Sequence, residues 1–127
     1  EEKIEFPFKN RQDFESKTIE KLSKAIESDT GINRLKYIFL DHVQSNHAFL
    51  MPIDKLANLN RAKNCLLIVD AAHTLGSFKH FNLRDYFKNV DILFTNCHKW
   101  FCGPKGTGLI YCKKSRQTID CINFRLR

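Results

Sequence analysis

The sequence predicts an α/β fold in which helices cover both faces of a mostly parallel sheet. Strand-like and helix-like segments alternate along the chain, and the strand-like segments are continuous apolar runs rather than alternating ones. Continuous apolar strands are typical of parallel sheets that are buried on both faces. With 127 residues, the chain is long enough for one domain with a hydrophobic core and shorter than a typical two-domain enzyme.

The first half of the chain contains two predicted strands and two predicted helices. The run KIEFPF predicts a short strand over residues 3–8. A helix is predicted over residues 12–29, because apolar residues recur at near-helical spacing and the sequence DTG ends the segment. The run LKYIFLD predicts a buried strand over residues 35–41. A second helix is predicted over residues 52–64, where proline stands at the first helical position.

The second half adds three strands and one short helix. CLLIVDA predicts a buried strand over residues 65–71, and LRDYFKNV predicts a short helix over residues 83–90. DILFTN predicts a strand over residues 91–96, and GTGLIYCKK predicts a last strand over residues 106–114. No repeat or Gly/Ser-rich linker interrupts this order, so we expect a single domain.

Composition and charge argue against several classes of function. The net charge of +7 comes from scattered basic residues without a nucleic-acid-binding signature, so no nucleic-acid partner is expected. No apolar run reaches the roughly 20 residues of a membrane span. The five cysteines and five histidines match no disulfide or zinc pattern, which predicts a reducing compartment and no metal. We expect a cytoplasmic location, with the mitochondrion left open, and a chain that begins inside a longer protein.

Polar side chains are concentrated where the predicted strands end. In parallel sheets, ligands bind outside the carboxyl ends of the strands. Three of these ends carry titratable or polar groups, which are Asp41, His42 and Ser45, then Asp70 and His73, then Asn96, His98 and Lys99. The sequence therefore predicts a site at this edge of the sheet.

Asp70 and Lys99 are the residues of this set that are best suited to catalysis or cofactor binding. Each ends an apolar strand, and a desolvated carboxylate needs a cationic or hydrogen-bonding partner. Desolvation of a lysine favours its neutral, nucleophilic amine. One alternative is a buried Asp70–Lys99 salt bridge. The other places pyridoxal 5'-phosphate between them, because this cofactor needs a lysine for its Schiff base and an acid for its pyridine nitrogen.

Two motifs carry a resemblance to a known family. VDAAHTLG, at residues 69–76, followed by VDILFTNCHKWFCGPKGTGLIYCKK, at residues 90–114, resembles the class V aminotransferase superfamily of pyridoxal-phosphate enzymes. The segments DHVQS and NCHKWFCGPKG are most similar to its isopenicillin-N-epimerase-like and cysteine-desulfhydrase-like branch. The resemblance covers about residues 1–117 in order, and residues 118–127 diverge. It implies part of the large, cofactor-binding domain of the aspartate-aminotransferase-like fold.

The resemblance implies that Lys99 is the catalytic residue. Lys99 would form the Schiff base with the cofactor and move protons at the α-carbon of the substrate, while Asp70 would pair with the pyridine nitrogen. Lys105 is the alternative Schiff-base lysine, although it lies in a turn between glycine and proline residues. Trp100 and Phe101 are expected in the core or at an interface.

The other cofactor contacts implied by the resemblance concern the 3-hydroxyl and the phosphate. His73 and Ser45 match positions near the 3-hydroxyl of the ring. His98 and Asn96 match positions that hydrogen-bond the phosphate. His42 and His47 are expected to be structural.

The resemblance implies an enzyme that acts on an amino acid. Carbon–sulfur lyase, epimerase and transaminase reactions are all found in such enzymes, and a cysteine-type substrate is favoured by the NCHKWF motif. A homodimer is expected for the full-length protein. The competing hypothesis is a truncated, catalytically inactive paralogue that acts as a binding or regulatory chain, because a complete member also has an upstream segment and a small domain.

Overall fold

A computed structural model describes residues 8–28, 37–62, 65–79 and 82–114. These residues form three helices and four strands, in the order α1 (Arg11–Glu27), β1 (Tyr37–Asp41), α2 (Ile53–Ala62), β2 (Leu66–Asp70), α3 (Leu83–Tyr86), β3 (Ile92–Asn96) and β4 (Gly108–Cys112). The strand predicted over residues 3–8 lies outside the described residues, except for Phe8. No helix in the described ranges is both long enough and apolar enough to cross a membrane.

Helix α1 begins and ends where its sequence provides hydrogen-bonding groups for the helix termini. The Asn10 side chain accepts a hydrogen bond from the Asp13 backbone N–H at 2.9 Å, which satisfies one N–H of the first turn. At the other end, the Ser28 N–H donates to the carbonyl of Lys24. The helix buries Phe14, whose ring stacks on Phe49 with centroids 4.4 Å apart. The predicted helix was therefore correct, and its ends differ from the observed ones by one or two residues.

The four strands form one sheet in the order β1-β2-β3-β4. Strands β1, β2 and β3 are parallel, and β4 pairs with β3 in the antiparallel direction. A mostly parallel sheet is thus confirmed. Parallel pairing brings the carboxyl ends of β1 and β2 side by side, and Asp41 is the register partner of Asp70.

One face of the sheet forms the hydrophobic core. Side chains on this face pack against residues of α2 and of the segment that follows α3, and the buried members are Ile53, Ala57, Leu67, Val69, Ala71, Phe87, Val90 and Leu93. On the opposite face, within the described ranges, Tyr37, Phe39 and Ile110 are 58%, 50% and 69% exposed. The apolar runs that predicted burial on both faces are therefore buried on one face here, while on the other face the edge strands are exposed and the central strands β2 and β3 are half-buried.

Helix α3 is shorter than the sequence predicts. It ends at Tyr86, and a turn follows in which the Val90 N–H donates to the carbonyl of Phe87. The next residue, Asp91, is held against β2, because its carboxylate accepts the Leu67 N–H at 2.9 Å and its own N–H donates to the Leu67 carbonyl. This anchor requires the chain to leave the helix before residue 90.

Candidate active site

A cleft lies at the carboxyl ends of β1 and β2. It has a volume of about 110 Å³ and is lined by Asp41, Val43, Ser45, Asp70, Ala72, His73 and Lys99. Four of the six residues predicted for the site line it, namely Ser45, Asp70, His73 and Lys99. The strand-end pattern of the sequence therefore identified residues that the fold brings together.

Lys99 is held by the turn that follows β3. The Cys97 N–H donates to the Thr107 carbonyl, and the Gly103 N–H donates back to the Cys97 carbonyl. Within this turn, the carbonyl of Lys99 itself accepts the N–H of Cys102. The half-buried side chain of Lys99 reaches the turn after β2, where its Nζ lies 2.9 Å from Nε2 of His73.

Asp70 is oriented by the backbone that follows it. Its Oδ1 accepts the Ala72 N–H at 2.8 Å, which closes a tight turn directly after β2. No ion pair joins Asp70 and Lys99, both of which lie in the described ranges, because the Lys99 amine contacts His73 instead. The alternative of an Asp70–Lys99 salt bridge is therefore wrong for this structure.

His73 lies between Lys99 and Trp100. Its Nδ1 accepts the indole N–H of Trp100 at 3.2 Å, while its Nε2 faces the Lys99 amine. Trp100 and Phe101 are 59% and 56% exposed in the described part of the chain, so neither lies in the core, and an interface position for them stays a prediction.

Gly76 allows the turns after β2 and β3 to pack closely. Its φ of +84° lies in the left-handed region, which favours glycine. A Cβ at this position would lie 2.6 Å from the carbonyl carbon of Trp100 and 2.7 Å from the Phe101 nitrogen. Because no side chain fits there, the backbone that carries Lys99 and Trp100 can approach the turn that carries His73.

The two residues predicted to contact the phosphate lie outside the cleft lining. The His98 side chain is exposed. Asn96 is the last residue of β3, and its Oδ1 is buried without a hydrogen-bond partner among the described residues. Ser45 lines the cleft from an exposed position, and Lys105 is exposed and does not line the cleft.

His42 contacts the turn that carries His73. It is buried, and its Nδ1 lies 2.6 Å from the Thr74 hydroxyl in the turn after β2. Its ring also packs edge-on against Phe87, with centroids 5.1 Å apart. Burial lowers the pKa of His42 from 6.5 to about 4, so the ring is neutral at physiological pH. His42 thus has a structural position, as the sequence predicted.

No group of three metal-binding side chains is found in the part of the chain that the structure describes. The four cysteines in that part form no disulfide with one another.

Comparison with known proteins gives consistent matches. The family model for aminotransferase class-V matches residues 6–119. A probable chloroplastic L-cysteine desulfhydrase of Arabidopsis thaliana is 31% identical over 83 residues, which are 65% of this chain and 17% of that protein. The cysteine desulfurase IscS of Glaesserella parasuis is 30% identical over 105 residues, which are 82% of this chain and 24% of that protein. The chain thus spans a quarter or less of these relatives.

The fold is shared with a solved structure. The apo structure of the cysteine desulfurase from Thermococcus onnurineus superposes with a TM-score of 0.63 at 21% identity, over 77% of this chain and 22% of that one. At this level of identity the likeness shows the fold alone. It confirms that the chain forms part of a large α/β domain of this type.

Proposed function

The chain belongs to the aminotransferase class-V family, whose cofactor is pyridoxal phosphate, and we propose that it forms the lysine-bearing part of an enzyme that acts on an amino acid. The observation that carries the proposal is the cleft in which Lys99, Asp70 and His73 converge. Since the chain spans a quarter or less of its relatives, the reaction belongs to the full-length protein.

The residues that line the cleft have the donors and acceptors that pyridoxal phosphate requires. Lys99 provides an amine for the aldehyde group. Asp70 provides a carboxylate for the protonated pyridine nitrogen, and a carboxylate can accept further hydrogen bonds beyond the one from the Ala72 N–H. His73 and Ser45 provide polar groups for the 3-hydroxyl. The cofactor, when bound, accepts the electron pair released at the α-carbon of the substrate.

The phosphate contacts are a separate part of the proposal. We assign them to Asn96 and His98, which stand before Lys99 in the chain. Only the Nδ2 amide of Asn96 can donate to a phosphate oxygen, because its Oδ1, which is buried without a partner among the described residues, is an acceptor. His98 is exposed and would have to turn toward the ligand.

The second task of Lys99 is proton transfer. With a substrate in the cleft, the Lys99 amine would be the group that removes the proton from the α-carbon. The 2.9 Å contact between Lys99 Nζ and His73 Nε2 supports this role, because it holds the amine within the cleft. Asp70, which also lines the cleft, remains the charge partner of the ring.

Carbon–sulfur bond cleavage in a cysteine-type substrate is the reaction that we favour. Its support is the similarity to a cysteine desulfhydrase and a cysteine desulfurase, at 31% and 30% identity. Epimerase and transaminase reactions are the alternatives, because they share the same first steps. A homodimer of the full-length protein and a cytoplasmic location remain predictions.

Covalent trapping tests the proposal. The chain is mixed with pyridoxal phosphate and reduced with borohydride, and labelled peptides are quantified by mass spectrometry. We expect one label per chain on Lys99 and its loss in Lys99→Ala. Lys105→Ala is the matched control, because Lys105 is exposed and outside the cleft lining, and it should leave the label intact.

Two outcomes would contradict the proposal. Label distributed over surface lysines and unchanged in Lys99→Ala would show that the chain forms no cofactor site and would favour the inactive paralogue. For the full-length protein, we expect sulfide release from cysteine that disappears in Lys99→Ala. Cofactor binding without sulfide release would favour the epimerase or transaminase alternatives.

A further inference from the structure

Trp100 contacts Nδ1 of His73, whereas Lys99 lies at Nε2 of the same ring. The Trp100 contact limits which of the two ring nitrogens carries the proton. Tryptophan has a single polar hydrogen and only donates, so Nδ1 of His73 must accept the indole N–H at 3.2 Å. A neutral imidazole has one bare nitrogen and one N–H. With Nδ1 bare, the proton of the neutral His73 ring is on Nε2.

The position of this proton determines which protonation state of Lys99 is compatible with both hydrogen bonds of His73. Nε2 of His73 lies 2.9 Å from Lys99 Nζ, and its N–H needs an acceptor there. A lysine ammonium has three donors and no acceptor, whereas the neutral amine has a lone pair. Both hydrogen bonds of His73 are therefore made together only when the Lys99 amine is unprotonated.

We propose that Trp100 is a positioning residue that acts through His73 to favour the unprotonated, nucleophilic form of the Lys99 amine. The inference rests on the proposed function, because it concerns the lysine that binds the aldehyde. If Lys99 takes up a proton, it must donate to Nε2, the His73 proton must move to Nδ1, and the Trp100 hydrogen bond is lost. Trp100 thus penalises the protonated state.

The charged groups around the cleft oppose this effect. Asp41 at the end of β1 and Asp70 at the end of β2 line the same cleft and favour the ammonium form. His98, which precedes Lys99 in the chain, is exposed. The Trp100–His73 hydrogen bond is the contact in this cluster that favours the free amine against the two carboxylates.

The close packing of Gly76 against the Trp100 backbone fixes the position of Trp100 next to the turn that carries His73. A side chain at Gly76 would overlap the Trp100 backbone, so the chain maintains a position that brings Trp100 against the turn of His73. The neighbouring Phe101 is similarly exposed, at 56% against 59% for Trp100, and has no polar hydrogen in its ring. Phe101 is therefore a matched control for Trp100.

Reductive methylation with formaldehyde and cyanoborohydride tests the inference without the cofactor. The reagent modifies unprotonated amines, and mass spectrometry gives the rate for each lysine as a function of pH, with exposed Lys105 as the internal reference. We expect Trp100→Phe to slow methylation of Lys99 relative to Lys105 near neutral pH by about twofold to fivefold, as expected for one partly exposed neutral hydrogen bond. The Lys99 profile should move to higher pH.

Two further variants separate the role of the hydrogen bond from a general loss of structure. Phe101→Leu should leave the relative rate of Lys99 unchanged. In a His73→Phe background, Trp100→Phe should have no further effect, because the connection to Lys99 is already absent. An unchanged Lys99 profile in Trp100→Phe, or the same change in the His73→Phe background, would overturn the inference.

The proposed function fails in a different experiment. If pyridoxal phosphate does not label Lys99 in the unmodified chain, the proposed function is wrong, whatever the methylation profile. If it labels Lys99 and Trp100→Phe leaves the methylation profile unchanged, only the role of Trp100 is wrong.

Discussion

The buried ring of His42 predicts that the chain loses stability in mild acid. Burial lowers the pKa of His42 from 6.5 to about 4 in the folded chain, whereas the unfolded chain exposes the ring at its ordinary value. As the pH falls from about 6.5 to about 4, the unfolded state takes up a proton that the folded state does not. The contribution of His42 to the free energy of unfolding therefore falls across this window and is constant on either side of it.

The magnitude follows from the two pKa values. A full difference between 6.5 and about 4 corresponds to about 3 kcal/mol, at about 1.4 kcal/mol for each tenfold change in proton affinity. Between pH of about 7.5 and about 5, roughly 2 kcal/mol of this should be lost. That loss is a large fraction of the stability of a small domain.

Urea denaturation followed by circular dichroism at several pH values measures this loss. Other groups titrate as well, so the quantity of interest is the difference between the unmodified chain and His42→Leu, which removes the titration. His47→Gln is the control, because His47 is an exposed histidine of the same connection. The same acid-induced loss in His42→Leu would refute the reasoning. If that variant does not fold, an NMR titration of the His42 ring that gives a midpoint near 6.5 would refute it equally.

Three further predictions test the packing and the site. Gly76→Ala should lower the free energy of unfolding by more than about 2 kcal/mol in denaturation experiments, and Gly106→Ala should lower it less, because both have positive φ but a Cβ at Gly106 meets no atom within 4 Å. Leu67→Ala, in the core, should cost about 2–5 kcal/mol, whereas Leu109→Ala, at a position 52% exposed, should cost under about 1 kcal/mol; equal losses would contradict the assignment of the core. Asp70→Asn retains an acceptor for the backbone N–H, so the fold should persist while affinity for pyridoxal phosphate, measured by titration, falls at least about tenfold; unchanged affinity would contradict the role of the carboxylate.

Much of the fold was predictable because its signals are local. Strand β2 is a run of apolar residues that ends in Asp70, and its position follows from that run, whereas the choice of buried face does not. The direction of β4 was not predictable, since an apolar run has no direction and antiparallel pairing to β3 depends on the turn before it. The early end of α3 was missed as well, because the Asp91–Leu67 anchor joins residues that are 24 positions apart.

In the candidate site, too, local signals were predictable and long-range contacts were not. Asp70, His73 and Lys99 were found from their places at strand ends, because the carboxyl ends of parallel strands meet at one edge of the sheet. The contact between Trp100 and His73, 27 positions apart, was not predictable from either residue alone. It depends on how closely two turns approach, and neither composition nor periodicity reports that distance.

The turn after β2 is the element on which the geometry of the site depends. From one side, His42 of the β1 connection reaches Thr74 of this turn at 2.6 Å. From the other side, Lys99 and Trp100 reach its His73, and Gly76 gives their backbone room. The segments after both neighbouring strands contact this turn. A displacement of the turn would therefore change the position of Asp70 relative to Lys99 across the cleft. Protonation of His42 in acid should therefore weaken the site as well as the core.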